Sequence, residues 1–193
     1  GSRRSQVSQP RLDTRRMNVP GTITAGEAFN PNEAKVATLN FLAWSTLWSS
    51  LTPDDLREAA WQALELPGQF ADVSTAYWST FHAGMPQPPI PALIHAMLNV
   101  DGASIREDWM RAANYLDLTW DHALLPPDQL GPACEIFALA VEREESVIIE
   151  NLAQRYLIPW AELAQQQLNA AKNPVLAELL KRFHKDLLHA TNA

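Results

Sequence analysis

Glycine is scarce in this chain: seven residues, against fourteen prolines, in a sequence of 193. So few glycines leave little material for phosphate-cradling loops or for a sandwich built on tight turns, which disfavours many nucleotide enzymes and all-β folds. Cysteine is nearly absent. The lone Cys134 cannot form an internal disulfide, and a reducing, cytoplasmic setting fits it best. No apolar run reaches the roughly eighteen residues that a membrane span needs, so stable membrane insertion is not expected.

The usual entry points to chemistry are missing as well. Neither Gly-x-x-x-x-Gly-Lys, Gly-x-Gly-x-x-Gly nor Gly-x-Ser-x-Gly occurs, and His-Glu-x-x-His and Cys-x-x-Cys are absent. Histidines stand at 82, 95, 122, 184 and 189, but none follows a glutamate by three residues, the spacing that builds di-metal sites in helical bundles. No catalytic residue, metal site or cofactor is therefore assigned. Cys134 lies on an apolar helical stripe and reads as a small core residue. The run from Glu142 to Glu145 reads as a solvated boundary between two helices.

What is present points to a globular helical protein. Apolar residues make up 47% of the chain and charged ones 19%, which excludes a disordered chain and a highly charged coiled coil. Net charge is −7, yet residues 1 to 26 carry five arginines against Asp13, a net +4 that leaves −11 for the remainder. An acidic body repels nucleic-acid phosphates and favours basic partners. Residues 1 to 26 read as a flexible basic arm in which Gly1 and Ser2 resemble a cloning remnant and Met17 a natural start. Ser2-Arg3-Arg4 opens like an export leader, but Ser5, Gln6, Ser8 and Gln9 stand where such a leader needs apolar residues.

Residues 27 to 193 read as one all-α domain. A broad apolar arc runs through Val36, Phe41, Trp44, Leu47 and Trp48. Thr52-Pro53-Asp54-Asp55 starts a second helix that Pro67-Gly68 closes, and a third carries Phe70, Val73, Tyr77 and Phe81 before the break at residues 84 to 91. A short helix is expected over 92 to 98. Ser104 and Glu107 form a capping box ahead of a stripe through Ile105, Trp109, Ala112, Leu116 and Trp120. After a second proline break at 124 to 127, helical periods continue to a helix ended by Pro159 and a last one begun by Asn173-Pro174.

Two proline breaks flanked by apolar residues are either plain helix ends or the sides of a groove for a flexible peptide, which proline suits because it holds extended backbone at low ordering cost. Three segments sharpen this reading. Tyr77-Trp78-Ser79-Thr80-Phe81 runs into Pro86-Gln87-Pro88-Pro89; Pro126-Pro127-Asp128-Gln129-Leu130-Gly131 follows; and Tyr156-Leu157-Ile158-Pro159-Trp160 comes last. In this order they resemble the aromatic-x-x-x-Phe plus Pro-rich turn, the Glu-Pro-x-Asp-His-x-Gly and the His-Leu-x-Pro-Trp segments of the TorD/DmsD/NarJ family of redox-enzyme maturation chaperones. Leu125, Gln129 and Tyr156 depart from that pattern, and Gln129 cannot carry charge where the family has His.

The resemblance implies an all-helical TorD-like fold and a cytoplasmic, non-enzymatic chaperone. Such a protein binds the twin-arginine leader and the apo-form of a molybdopterin-dependent oxidoreductase, delays export until cofactor insertion, and in some members forms domain-swapped homodimers. Position by position, it puts Tyr77, Phe81, Pro89 and Ile90 in the apolar part of the peptide site and Pro126, Asp128 and Gln129 at its polar lip. Asp128 is equally placed to be a helix N-cap. The alternative is a helical scaffold or assembly subunit that receives a folded partner through the same groove.

Overall fold

The computed structural model describes residues 24–25, 34–119 and 124–192. Helices account for most of it: α1 (Val36–Trp48), α2 (Asp54–Ala63), α3 (Phe70–Phe81), α4 (Ile94–Leu98), α5 (Gly102–Tyr115), α6 (Leu130–Glu142), α7 (Ser146–Leu152), α8 (Ile158–Gln167) and α9 (Pro174–Thr191). Two dipeptide strands, β1 (Thr24–Ala25) and β2 (Leu118–Thr119), pair antiparallel. All but Thr24 and Ala25 of the basic arm, together with Trp120, lie outside the described residues.

Helix α6 forms the axis. Eleven of its thirteen residues are buried, and the small ones among them, Gly131, Ala133, Cys134, Ala138 and Ala140, let neighbours approach closely. Helix α1 lies along it. Gly131 is where the two come nearest: Ser45 Oγ donates to its carbonyl at 2.7 Å, and a Cβ there would stand 2.8 Å from the Ser49 Cα. Around Trp48 the rings of Trp44, Tyr77, Phe81, Trp160 and Phe183 pack at centroid distances of 5.1 to 6.3 Å. Most of these contacts are edge-on or tilted, as ring quadrupoles prefer. Trp109 and Leu116 are fully buried on the inner side of α5, as their stripe predicts.

Several helix ends differ from the sequence expectation. Helix α5 begins at Gly102, and Asp101, not Ser104, caps it by accepting the Ser104 N–H at 2.9 Å. The Ser104–Glu107 capping box is therefore absent. Pro53 is the residue before α2 rather than its first helical position. Pro159 does not end a helix. The chain continues from α7 through a π-turn (Ala153–Leu157) into α8, with Pro159 near its start. A proline ring crowds the carbonyl four residues earlier and donates no hydrogen bond, and the wider π-turn absorbs both defects. The acidic run does separate two helices: Arg143 ends α6, and Glu144 takes a left-handed φ of 55° before α7.

Candidate functional site

The three segments that carry the family resemblance meet at one place. Helix α3 ends at Phe81, and the proline loop returns to it at once, because Ile90 N–H donates to Thr80 O at 3.0 Å and Ala92 N–H to Phe81 O at 3.1 Å. The Trp160 indole of the third segment donates to Pro91 O at 2.9 Å and packs edge-on against Trp48. The second segment joins through main chain. Ile94 N–H donates to Asp128 O and Leu130 N–H to Ala92 O, both at 2.9 Å, with Leu93 opposite Gln129 in an antiparallel bridge.

This pairing fills the strip between the two breaks that the sequence suggested as a groove. Tyr77, Phe81 and Ile90 are buried in the core, and Pro126 is half-buried. Of the expected apolar contacts only Pro89 is exposed. It shares the first break with Met85, which is 96% exposed, while Leu124 stands out from the second. Exposed proline-loop residues over a hydrogen-bonded base form a preordered apolar surface.

Asp128 is fully buried and does not cap α6. Its Oδ1 accepts from Arg106 Nε at 3.0 Å, and Oδ2 accepts from His95 Nδ1 at 2.5 Å and from the His95 backbone N–H at 3.2 Å. A buried carboxylate demands such partners, and these three donors fasten α4, α5 and the start of α6 together. The imidazole also lies flat against Gly102, where a Cβ would sit 3.1 Å from the ring. The N-cap of α6 is Gln129: its Oε1 accepts from Gly131 N–H at 2.7 Å while Nε2 donates to Trp48 O at 2.8 Å. A neutral imidazole offers the same acceptor and donor pair, so the position works with glutamine and without charge.

Sequence reading missed a second polar centre behind this surface. Arg57 is wholly buried, with Nε on Leu47 O (3.1 Å), NH2 on Ser49 O (2.5 Å) and NH1 on Asp54 (3.0 Å). Its guanidinium lies over the Trp78 ring at 4.7 Å and near those of Tyr77 and Phe70. It thus neutralises the carbonyl end of α1. Tyr77 hydroxyl donates to Leu47 O at 2.5 Å and accepts from His82 Nε2 at 2.9 Å. Burial raises the phenol well above its ordinary range, and burial with the Arg57 charge pushes His82 down to about 3. The available signal was Arg57 itself, four residues before Trp61 and seven before Leu64 on an otherwise apolar stripe.

Farther off, a cleft of about 420 Å³ separates α5 from α7, with Asp108 at its centre held by Arg111, Arg155 and the Tyr156 hydroxyl. Burial and that carboxylate push Tyr156 up to about 12. Burial likewise raises the Cys134 thiol, which keeps it protonated and a poor nucleophile. Among the described residues no three His, Cys, Asp or Glu side chains converge as a metal site, and no helix is long and apolar enough to cross a membrane. No family model, curated protein or solved structure matches this chain.

Proposed function

We propose that this protein is a cytoplasmic maturation chaperone that binds the twin-arginine leader of a molybdopterin-dependent oxidoreductase and delays its export until the cofactor is inserted. The observation that carries the reading is the convergence just described. Three segments separated by tens of residues, each resembling a segment of that chaperone family, lock to one another through Trp160–Pro91 and the Leu93–Gln129 bridge.

The leader's apolar stretch would rest on the outer side of this node, against Met85, Pro89 and Leu124. Asp128 is already paired with Arg106 and hydrogen-bonded by His95, so selection of the arginine pair falls to other carboxylates. Asp55 and Glu58 line the open groove between α2 and α3 without an ion pair among the described residues, next to Asp54, which Arg57 ties to Ser49 beside Gly131 of the node. Exposed carboxylates of this kind select charge and speed encounter, with an effect that salt weakens.

Calorimetric titration of a synthetic leader at low and high ionic strength tests this. Met85→Ser should weaken binding at both salts, and Asp55→Asn mainly at low salt. Asp128→Asn should lower the melting temperature by removing a buried pairing. Absence of binding at high micromolar leader under either condition would overturn the proposal. The reading that would then lead is a scaffold that captures a folded partner, which retains the mature partner and ignores the leader in a pull-down.

A further inference from the structure

At the other end of α1, about 18 Å from Trp48 by helix rise, four helix ends enclose a cleft of about 560 Å³. The start of α1, the end of α6, the start of α7 and the end of α9 form its walls. Phe41, Val141, Ile149 and Ala190 line it with apolar surface, and Val36 stands at the mouth 76% exposed. Its size falls in the range of ligand pockets, roughly 300 to 1,000 Å³.

The charges around it do not balance. Lys35 Nζ pairs with Glu144 at 2.6 Å, and Arg182 Nε pairs with Asp186 at 3.0 Å, so those four groups cancel. Glu142, which flanks the cleft and also lies beside Lys35, and Glu150 remain as an acidic excess of two. Thr38 Oγ1 (2.6 Å) and the Lys35 N–H (3.1 Å) hold the Glu142 carboxyl below its usual range and thus ionised, while Glu150 is exposed with no ion pair among the described residues. His189 at the end of α9 is the one further titratable group that lines the cleft among the described residues. An apolar floor rimmed by two more carboxylates than cations complements a segment that is apolar on one side and cationic on the other.

We propose that this cleft docks a cationic amphipathic helix of a partner protein, with its aliphatic side chains on Phe41, Val141 and Ile149 and its lysines or arginines against Glu142 and Glu150. The site is separate from the leader surface and does not depend on that assignment.

The test uses the full chain and two synthetic helices, one of leucine and lysine and one of leucine and glutamate, followed by fluorescence anisotropy and by amide chemical shifts. The leucine–lysine helix should bind and shift resonances around Val36, Ile149 and Ala190, whereas the leucine–glutamate helix should not bind. Glu150→Lys should weaken binding about tenfold through the lost charge match. Ala37→Trp, placed on an exposed lining residue, should fill the cleft and abolish binding with an unchanged melting temperature. Equal binding of both helices, equal binding by wild type and Glu150→Lys, or shifts confined to another surface would each overturn the proposal. So would self-association of the free chain that Ala37→Trp abolishes, because the occupant would then be a second copy.

Discussion

His82 offers a sharp test of the buried polar centre behind α3. Its neutral ring donates from Nε2 to Tyr77 while Arg57 sits nearby, and folding drives it from an ordinary value of 6.5 down to about 3. A histidine depressed in this way takes up its proton in the unfolded chain first. Stability is therefore complete above pH 7 and is lost as pH falls through 6.5 toward 3. Between pH 7 and pH 5 the unfolded ring gains about 0.7 of a proton while the folded ring gains almost none, which removes about 2 kcal/mol. Urea unfolding at the two pH values, in wild type and in His82→Gln, isolates the effect. Glutamine keeps a donor for Tyr77 but has no proton to gain, so the variant should lose about 2 kcal/mol less than wild type over the same interval. Equal losses in the two proteins, or a His82 ring that titrates near 6.5 by NMR, would refute the reasoning.

The remaining predictions concern packing. Gly131→Ala should cost about 1 to 3 kcal/mol in urea unfolding, because the new methyl meets the Gln129 amide at 2.7 Å and the Ser49 backbone at 2.8 Å. Trp109→Ala and Leu116→Ala, both at fully buried positions, should each lose about 2 to 5 kcal/mol, and a loss under about 1 kcal/mol would mean that α5 presents its other face to the core.

The helical class and most helix positions were legible because apolar spacing and proline punctuation report local geometry directly. Trp109 and Leu116 are where the α5 stripe puts them, and the Glu142–Glu145 run marks the α6–α7 boundary. Caps were less legible. Asp101, Ser104 and Asp128 all carry capping chemistry, and only tertiary partners decide between them: Arg106 and His95 draw Asp128 away from α6 and leave the cap to Gln129. Pro159 misled for a related reason, since a proline stops a helix only where no wider turn can absorb it. That Tyr77, Phe81 and Ile90 are core residues was not legible, because aromatic residues next to prolines suit a peptide surface and a core equally. What separates the two is the main-chain bonding of 92–94 to 128–130, partners too far apart in sequence for any local pattern to reveal.

Helix α7 has open space on both flanks, the Asp108 cleft on one side and the acidic cleft on the other. It is seven residues long, follows a left-handed residue, receives no side-chain cap and runs into a π-turn. Native-state amide exchange should accordingly find it among the least protected helical segments, opening at a free energy well below that of global unfolding. Since Ile149 and Glu150 belong to it, a ligand held in the acidic cleft must favour the closed helix, and slower exchange of the α7 amides becomes a thermodynamic measure of occupancy. The same linkage reaches the opposite flank, where Val147, Ile148 and Leu152 line the Asp108 cleft, so closing one side orders the wall of the other.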